Sequence, residues 1–238
     1  MPDDYYASRK SNLLNDFDNL AKSVRKVLVA RYGGALADAM IKETRSEYEV
    51  IIPQIPYIGG KQPFTQFVIA TAEFLAMYRV MKGQGKTVEE TGDLIYEMCE
   101  AVIKSYPSFV LRLTGSLSIF SRRTIDALRK GAEESHKREY PGDFVFTFVE
   151  GDNVKFDYGI DYMECGPCKF LNKQGAPELA PYICSIDALY SEAFGWGLVR
   201  TTTIAEGFDK CDFRFKRGGR TSVLHASVRT KATLRPGG

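Results

Sequence analysis

Four of the five cysteines lie in the C-terminal third of the chain and could share one site. Cys165 and Cys168 form a Cys-x2-Cys motif in a predicted loop, Cys184 follows on a predicted helix, and Cys211 opens the last predicted strand. Thiolates act as nucleophiles and as ligands for soft metals. We therefore expect at least three of these four thiols to lie close together. The fifth, Cys99, is expected apart from them, as a small buried residue of a helix.

Three charged residues accompany these thiols. Asp187 lies three residues after Cys184, so both side chains project from one side of the predicted helix, beside its apolar stripe. Asp212 alternates with Cys211 in a strand whose aromatic residues define the inner face, so it is expected to point outward. Arg200 stands beside three threonines, a setting that suits a bound carboxylate. An arginine at a solvated edge of the sheet is an equally good interpretation.

Three interpretations of the cysteines compete. They could be buried residues that only fill the core. The four thiolates could instead hold zinc or an iron–sulfur cluster, although the second pair is split in the sequence, which weakens a zinc assignment. One thiol could also be a nucleophile, with Asp187 relaying a proton. No cysteine–histidine dyad is visible, because the two histidines, His136 and His225, lie in a charged stretch and in the C-terminal tail.

The elements that precede this site are helical in character. Residues 1–142 are predicted to form a helical part, since apolar residues recur at steps of three and four, as in Leu13, Phe17, Leu20 and Val24. Between these helices, residues 51–63 are rich in proline and glycine yet carry apolar side chains. Such a loop, which includes Tyr57, is expected to lie against the core or to line a pocket.

The period of the pattern changes after residue 142. Residues 143–217 are predicted to form an α+β part that carries the Cys/Asp site, in which a hairpin, a helix and a second hairpin occupy residues 144–162, 177–194 and 198–216. This order predicts an α+β fold with a small antiparallel sheet and a helix packed on it. The basic stretch at residues 218–238 has no core pattern and is predicted to be a disordered tail.

The composition limits the classes of partner. The chain has 238 residues, of which 44% are hydrophobic and 26% charged, and a net charge of +2. These values are ordinary for a globular protein and give no reason to expect nucleic acid or a membrane as a partner. The N-terminal segment lacks the apolar core of a signal peptide. We expect a cytoplasmic protein with reduced thiols that acts on a small molecule, and a homo-oligomer is compatible with the sequence.

Several short segments of the sequence can be read together. They are residues 56–61, residues 164–170, Cys184 with Asp187, residues 200–203, Gly207 and residues 211–215. In combination they resemble the L-2-amino-thiazoline-4-carboxylic acid hydrolase family. The resemblance extends over about residues 5–217, and its motifs are specific only in combination. It implies a hydrolase that opens a small cyclic amidine bearing a sulfur and a carboxylate, adding water at the amidine carbon to yield a carbamoyl-cysteine.

That reaction needs a proton relay, an attacking group and a cation for the carboxylate. Asp187 is expected to relay the proton, Cys184 or Cys165 to act as nucleophile or metal ligand, and Arg200 to anchor the carboxylate. Thr202 and Tyr57 are the further expected substrate contacts. The cofactor is unknown, and zinc, if it binds, would be held by the four thiols of Cys165, Cys168, Cys184 and Cys211. The alternative function is a non-catalytic module that binds a metal or a small ligand through this cysteine cluster.

Overall fold

The computed structural model describes residues 4–60, 64–152 and 154–224, and over these ranges the chain forms eight α-helices and five β-strands. The first six helices are α1 (Lys10–Tyr32), α2 (Gly34–Ile51), α3 (Phe64–Gly83), α4 (Val88–Lys104), α5 (Ser108–Ile119) and α6 (Arg122–Ser135). Then follow β1 (Val145–Glu150), β2 (Tyr158–Glu164), α7 (Gly166–Lys173), α8 (Ala180–Phe194), β3 (Leu198–Arg200), β4 (Cys211–Phe215) and β5 (Ser222–Val223). The α+β fold expected from the sequence is confirmed.

The helices begin and end where their local chemistry directs. Helix α1 buries one apolar stripe and ends at Gly33, whose φ of 80° suits a residue without a Cβ. Helix α4 begins with a capping box, in which the Glu90 N–H donates to Thr87 Oγ1 at 3.2 Å and the Thr87 N–H donates to Glu90 Oε2 at 3.0 Å. Helix α3 buries residues on several sides, so it lies at the centre and packs against α2, α4 and α7.

The sheet has the strand order β1-β2-β4-β3-β5. Its first three pairings are antiparallel, as predicted, but β3 and β5 run parallel, so the sheet is mixed. Strand β5 lies within residues 218–238, for which a disordered tail is predicted. Two residues are too few to show an alternating pattern, and this strand is held by long-range pairing of Ser222 with Val199 and of Val223 with Arg200. Residues 225–238, with His225, lie outside the described residues, as does Lys61.

Two local elements differ from the sequence prediction. Strand β2 begins at Tyr158 rather than at Val154, because Asp152 Oδ1 accepts the N–H groups of Val154 at 2.9 Å and Lys155 at 2.7 Å and holds them in a turn. Val154 is 79% exposed. The segment after β2, which was expected to be a loop, is helix α7, and the Cys-x2-Cys motif stands at its start.

One face of the sheet is aromatic and faces the helices. The antiparallel register of β2 and β4 places Tyr162 opposite Cys211, and Ile160 opposite Phe213. Side chains of this face join the same hydrophobic core as the buried residues of α1, α2 and α3. The shared core holds the ends of α7, α8 and β4 in fixed positions around the four thiols.

Within the described ranges, none of the helices combines the length and the apolar character that crossing a membrane requires.

Candidate active site

Three elements carry the four thiols that are expected to share one site. Cys165 is the N-cap residue of α7 and Cys168 lies in the first turn of that helix. Cys184 lies on α8, and Cys211 is the first residue of β4. The thiols of Cys165 and Cys184 both raise the pKa of the Cys168 thiol. All five cysteines are free thiols, and Cys99 lies elsewhere, buried on α4.

A threonine hydroxyl links the last two thiols. Thr203 Oγ1 donates to Cys184 Sγ at 3.8 Å, and the Cys211 thiol donates to Thr203 Oγ1 at 3.5 Å. The Ile204 N–H donates to Cys211 Sγ at 3.2 Å. Thr203 is completely buried. The Thr203 hydroxyl therefore joins Cys184 to Cys211 inside the protein.

The surroundings give these thiols different proton affinities. Hydrogen bonds to Cys165 and Cys184, together with burial, raise the pKa of Cys168 strongly. Burial raises the pKa of Cys211 to about 12, against the smaller opposing effect of its hydrogen bonds. The hydrogen bond from Cys168 lowers the pKa of Cys184, and nearby Arg200 lowers it further against the effect of burial. Among these three thiols, Cys184 is the one whose thiolate form is favoured.

Asp187 and Arg200 form an ion pair next to Cys184. Arg200 Nη1 donates to Asp187 Oδ2, and Arg200 Nη2 donates to the Cys184 carbonyl oxygen at 3.2 Å. The guanidinium Cζ lies 5.3 Å from the centroid of the Phe213 ring. Arg200, for which the sequence suggested a substrate carboxylate as partner, thus has Asp187 as its carboxylate in this structure. None of its side-chain surface is accessible to solvent.

The Asp187 carboxyl is surrounded by protein and yet reachable. Burial raises its pKa from 3.8 to about 6, and the opposing effect of Arg200 offsets only part of this shift. Its side chain nevertheless keeps 37% of its surface accessible. The carboxyl therefore combines a raised pKa with access to solvent. A carboxyl with a pKa in this range can exchange a proton near neutral pH.

Asp212 lies next to Cys211 in β4 but on the opposite face of the sheet. Its Oδ1 accepts the N–H groups of Thr201 at 2.8 Å and Thr202 at 2.7 Å, and the Thr202 hydroxyl donates to the same oxygen at 3.1 Å. Although burial alone would raise the pKa of Asp212, these hydrogen bonds lower it. The carboxylate is therefore committed to holding the loop that leads to Thr203. Thr202, an expected substrate contact, is engaged in this loop.

A comparison with known protein families finds one match. A family model described as L-2-amino-thiazoline-4-carboxylic acid hydrolase matches residues 66–215, which is more than half of the chain. The chain belongs to this family. The match includes the four thiols of the site together with Asp187 and Arg200, and it confirms the resemblance seen in the sequence. No curated protein and no solved structure matches the chain.

Tyr57 lies outside the part of the chain that the hydrolase family model covers. Its ring packs against Tyr5 and Tyr140, with centroid distances of 4.9 and 5.2 Å. The loop after Tyr140 separates this aromatic cluster from helix α7, and Lys169 Nζ donates to the Pro141 and Asp143 carbonyl oxygens at 3.0 and 2.8 Å across it. Tyr57 is therefore placed one loop away from Cys165.

Two residues of the site were not identified from the sequence. Thr203 links Cys184 to Cys211, and Tyr162 faces Cys211 across the β2–β4 pairing. Burial raises the pKa of Tyr162, and the nearby Asp187 adds to this shift. Alternation predicts that Tyr162 points inward, but only the register of the two strands shows which residue it meets.

The residues of this site do not fit a metal ion. Across the described ranges, no group of three or more His, Cys, Asp or Glu side chains is arranged to hold one. The Thr203 hydroxyl stands between Cys184 and Cys211. Tetrahedral zinc needs four ligands directed at a common point. The zinc site considered from the spacing of the cysteines therefore lacks the required geometry.

Proposed function

We propose that this protein is a hydrolase that opens the ring of a small cyclic amidine such as 2-amino-thiazoline-4-carboxylate. Membership of the family supports hydrolysis as the reaction class. The observation that carries the proposal is the Asp187 carboxyl, which is accessible, has a pKa of about 6 and stands one helical turn from Cys184. General acid–base groups work best when their pKa lies near the working pH.

In the proposed reaction, water attacks the amidine carbon, which is bonded to nitrogen and to the ring sulfur. The Asp187 carboxylate accepts a proton from this water as the new carbon–oxygen bond forms. The protonated carboxyl then returns this proton to the ring atom that leaves, and the second proton of the water passes from the new hydroxyl group to the ring nitrogen. The hydroxyl oxygen becomes the carbonyl oxygen as the ring opens to a carbamoyl-cysteine. One water molecule is consumed, and Asp187 ends in its starting form.

Arg200 takes the role of a positioning residue in this scheme. Because its guanidinium is completely buried against Asp187, it orients the carboxylate and contributes positive potential to the site without touching the substrate. Removing the arginine would leave the carboxylate without the partner that holds it.

Cys184 offers a covalent route for the same overall reaction. Its thiolate would add to the amidine carbon and displace the ring sulfur, leaving an isothiourea that water then hydrolyses to the same product. The lowered pKa of Cys184 supports this role better than any feature of Cys165. Replacing Cys184 with Ser distinguishes the two routes. The variant should keep most of the activity if water attacks directly, and it should lose nearly all of it if the covalent route operates.

The test is turnover of L-2-amino-thiazoline-4-carboxylate by the purified full chain, followed by chromatography of the substrate and of carbamoyl-cysteine. We expect Asp187→Asn to lower kcat/KM by ~10²–10⁴-fold with the fold intact by circular dichroism. The matched control is Asp38→Asn, because Asp38 is also paired with an arginine, Arg25, at 2.7 Å but lies exposed on α2. Asp212→Asn should lose much less activity than Asp187→Asn.

Each outcome has a definite meaning. If Asp187→Asn retains the activity of the Asp38→Asn control, the carboxylate mechanism is wrong. If the native protein binds the compound without turning it over, the non-catalytic binding module is the better account. If it neither binds nor converts the compound, this cyclic amidine is not its substrate.

A further inference from the structure

Cys165 and Cys168 are not used by the proposed hydrolysis, yet their placement is specific. Cys165 occupies the N-cap position of α7, and Cys168 is the third residue of that helix. Side chains at these two positions meet over the first helical turn, as they do in a capping box. Cys165 is also the largest influence on the pKa of Cys168, as expected for two thiols on one helical turn. The backbone between them is held closely, since a Cβ on Gly166 would lie 3.0 Å from the Gly142 carbonyl oxygen.

The two thiols differ in how easily an outside reagent reaches them. Cys165 is half-buried, whereas Cys168 is only 8% exposed. An external molecule therefore meets Cys165 first, and Cys168 lies covered in the same helical turn. A Cys-x2-Cys pair in which one thiol is accessible and the other is covered is the arrangement of thiol–disulfide oxidoreductases.

We propose that Cys165 and Cys168 are a redox-active dithiol, which closes to a disulfide when Cys165 reacts with a small-molecule disulfide. The Cys165 thiolate bonds to one sulfur of the external disulfide and expels the other as a thiolate. The Cys168 sulfur then bonds to Cys165 Sγ and expels the second external thiolate. The two cysteine protons end on these two external thiols, so the protein loses two electrons and the external disulfide gains them.

Cys184 is the competing partner for Cys168, because each of these two thiols shifts the pKa of the other. It lies on α8, so a bond to Cys168 would tie two helices together and fix both of their positions. Closing the Cys165–Cys168 pair needs adjustment only within the first turn of α7. The geometry therefore favours the pair within one helix.

Closure would alter the neighbouring thiol as well. The hydrogen bond from Cys168 is the largest influence that lowers the pKa of Cys184. A sulfur held in a disulfide has no proton to donate, so oxidation removes this hydrogen bond. We expect Cys184 to react more slowly with iodoacetamide near neutral pH after oxidation, and an unchanged rate would refute this coupling.

The test equilibrates the native full chain with mixtures of reduced and oxidised glutathione, followed by acid quenching, alkylation, digestion and mass spectrometry. The expected result is joint protection of Cys165 and Cys168, recovered as one disulfide-linked peptide, with Cys99, Cys184 and Cys211 alkylated. Dithiothreitol should restore both thiols. Five alkylated cysteines at every ratio, a Cys168–Cys184 bond, or a lasting glutathione adduct on Cys165 would each overturn the proposal.

Two variants give the order of events. In Cys168→Ser the attack of the second thiol on Cys165 is blocked, so glutathione should remain attached to Cys165. An unmodified Cys165 in the folded variant would contradict the proposal. Cys99→Ser is the control, because Cys99 lies on α4 away from the pair, and it should form the disulfide as the native chain does. None of these measurements uses the hydrolase substrate, so failure of the proposed function would leave this result unaffected.

Discussion

Arg200 lies completely buried beneath Asp187, whose side chain keeps 37% of its surface accessible. The guanidinium donates to the Asp187 carboxylate from the core side and to the Cys184 carbonyl oxygen at 3.2 Å. The arginine thereby connects strand β3 to helix α8 and orients the carboxylate toward the accessible side. The position of the proposed acid–base group thus depends on a residue that the solvent does not reach.

Arg200→Lys should weaken both the fold and the site. A lysine keeps the charge but lacks the planar group that reaches Asp187 and the Cys184 carbonyl together. We expect the free energy of unfolding to fall by ~1.5–3 kcal/mol, the range for hydrogen bonds to charged groups. Denaturant unfolding measures this change. The control is Arg214→Lys, whose arginine donates to Asp161 at 2.7 Å on the other face of the sheet. If Arg214→Lys lowers the activity as much as Arg200→Lys does, the positioning role of Arg200 is contradicted.

The activity of the native protein should depend on the ionisation of Asp187. Because burial raises the pKa of this carboxyl to about 6, it is protonated below this pH and ionised above it. The ionised form is the base that accepts a proton from water, so kcat/KM should rise as the pH increases through about 6. The residual activity of Asp187→Asn should lack this inflection. Titration of the substrate affects the pH profiles of both proteins equally. The same inflection in the variant would assign it to another group.

Thr203→Val should make Cys184 less reactive. Valine has the shape of threonine but cannot donate to Cys184 Sγ, and this donation is one of the influences that lower the pKa of Cys184. The alkylation rate of Cys184 near neutral pH should fall roughly two- to tenfold, the equivalent of one ordinary hydrogen bond. Peptide mass spectrometry after timed iodoacetamide exposure measures it. Thr203→Ser keeps the hydroxyl and should react at nearly the native rate, so equal slowing in both variants would point to a packing defect.

Glu73→Gln should change how stability depends on pH. Glu73 lines a cavity of about 30 Å³ between α1, α2, α3 and α4, with mostly apolar walls. Burial, aided by Asp16, raises its pKa from 4.5 to about 8. Since the folded pKa exceeds the unfolded one, the folded state holds the proton more tightly, and stability is lost as the pH rises from 4.5 through about 8.

The measurement is urea unfolding at pH values between 6 and 9, where glutamine removes the ionisable group. Each unit of difference between the folded and unfolded pKa of Glu73 corresponds to about 1.4 kcal/mol in the free energy of unfolding. The native chain should therefore lose stability across this pH range, while Glu73→Gln loses much less. The control is Glu49→Gln, since Glu49 is exposed, pairs with Lys10 and has a lowered pKa. Parallel pH curves for Glu73→Gln and the native chain would contradict the assignment.

Much of the fold follows from patterns within short segments. The apolar steps of α1 and the Thr87–Glu90 capping box of α4 depend on neighbours a few residues apart, so they can be recognised in the chain alone. The same holds for Asp187 and Cys184, which share one side of α8 because of their spacing. The inward direction of Cys211 and the opposite direction of Asp212 also follow from alternation along one strand.

The tertiary structure decided what these side chains meet. Strand β5 exists because it pairs with β3, and two residues carry no pattern of their own. Alternation could not show that Asp212 holds Thr201 and Thr202, or that Thr203 stands between two thiols, because these contacts join separate segments. Arg200 presents the same difficulty: its sequence neighbours suit a surface anion site, whereas packing of β3 against α8 buries it beneath Asp187. Residue types and local spacing therefore determined the reactive groups, and long-range pairing determined their partners and their proton affinities.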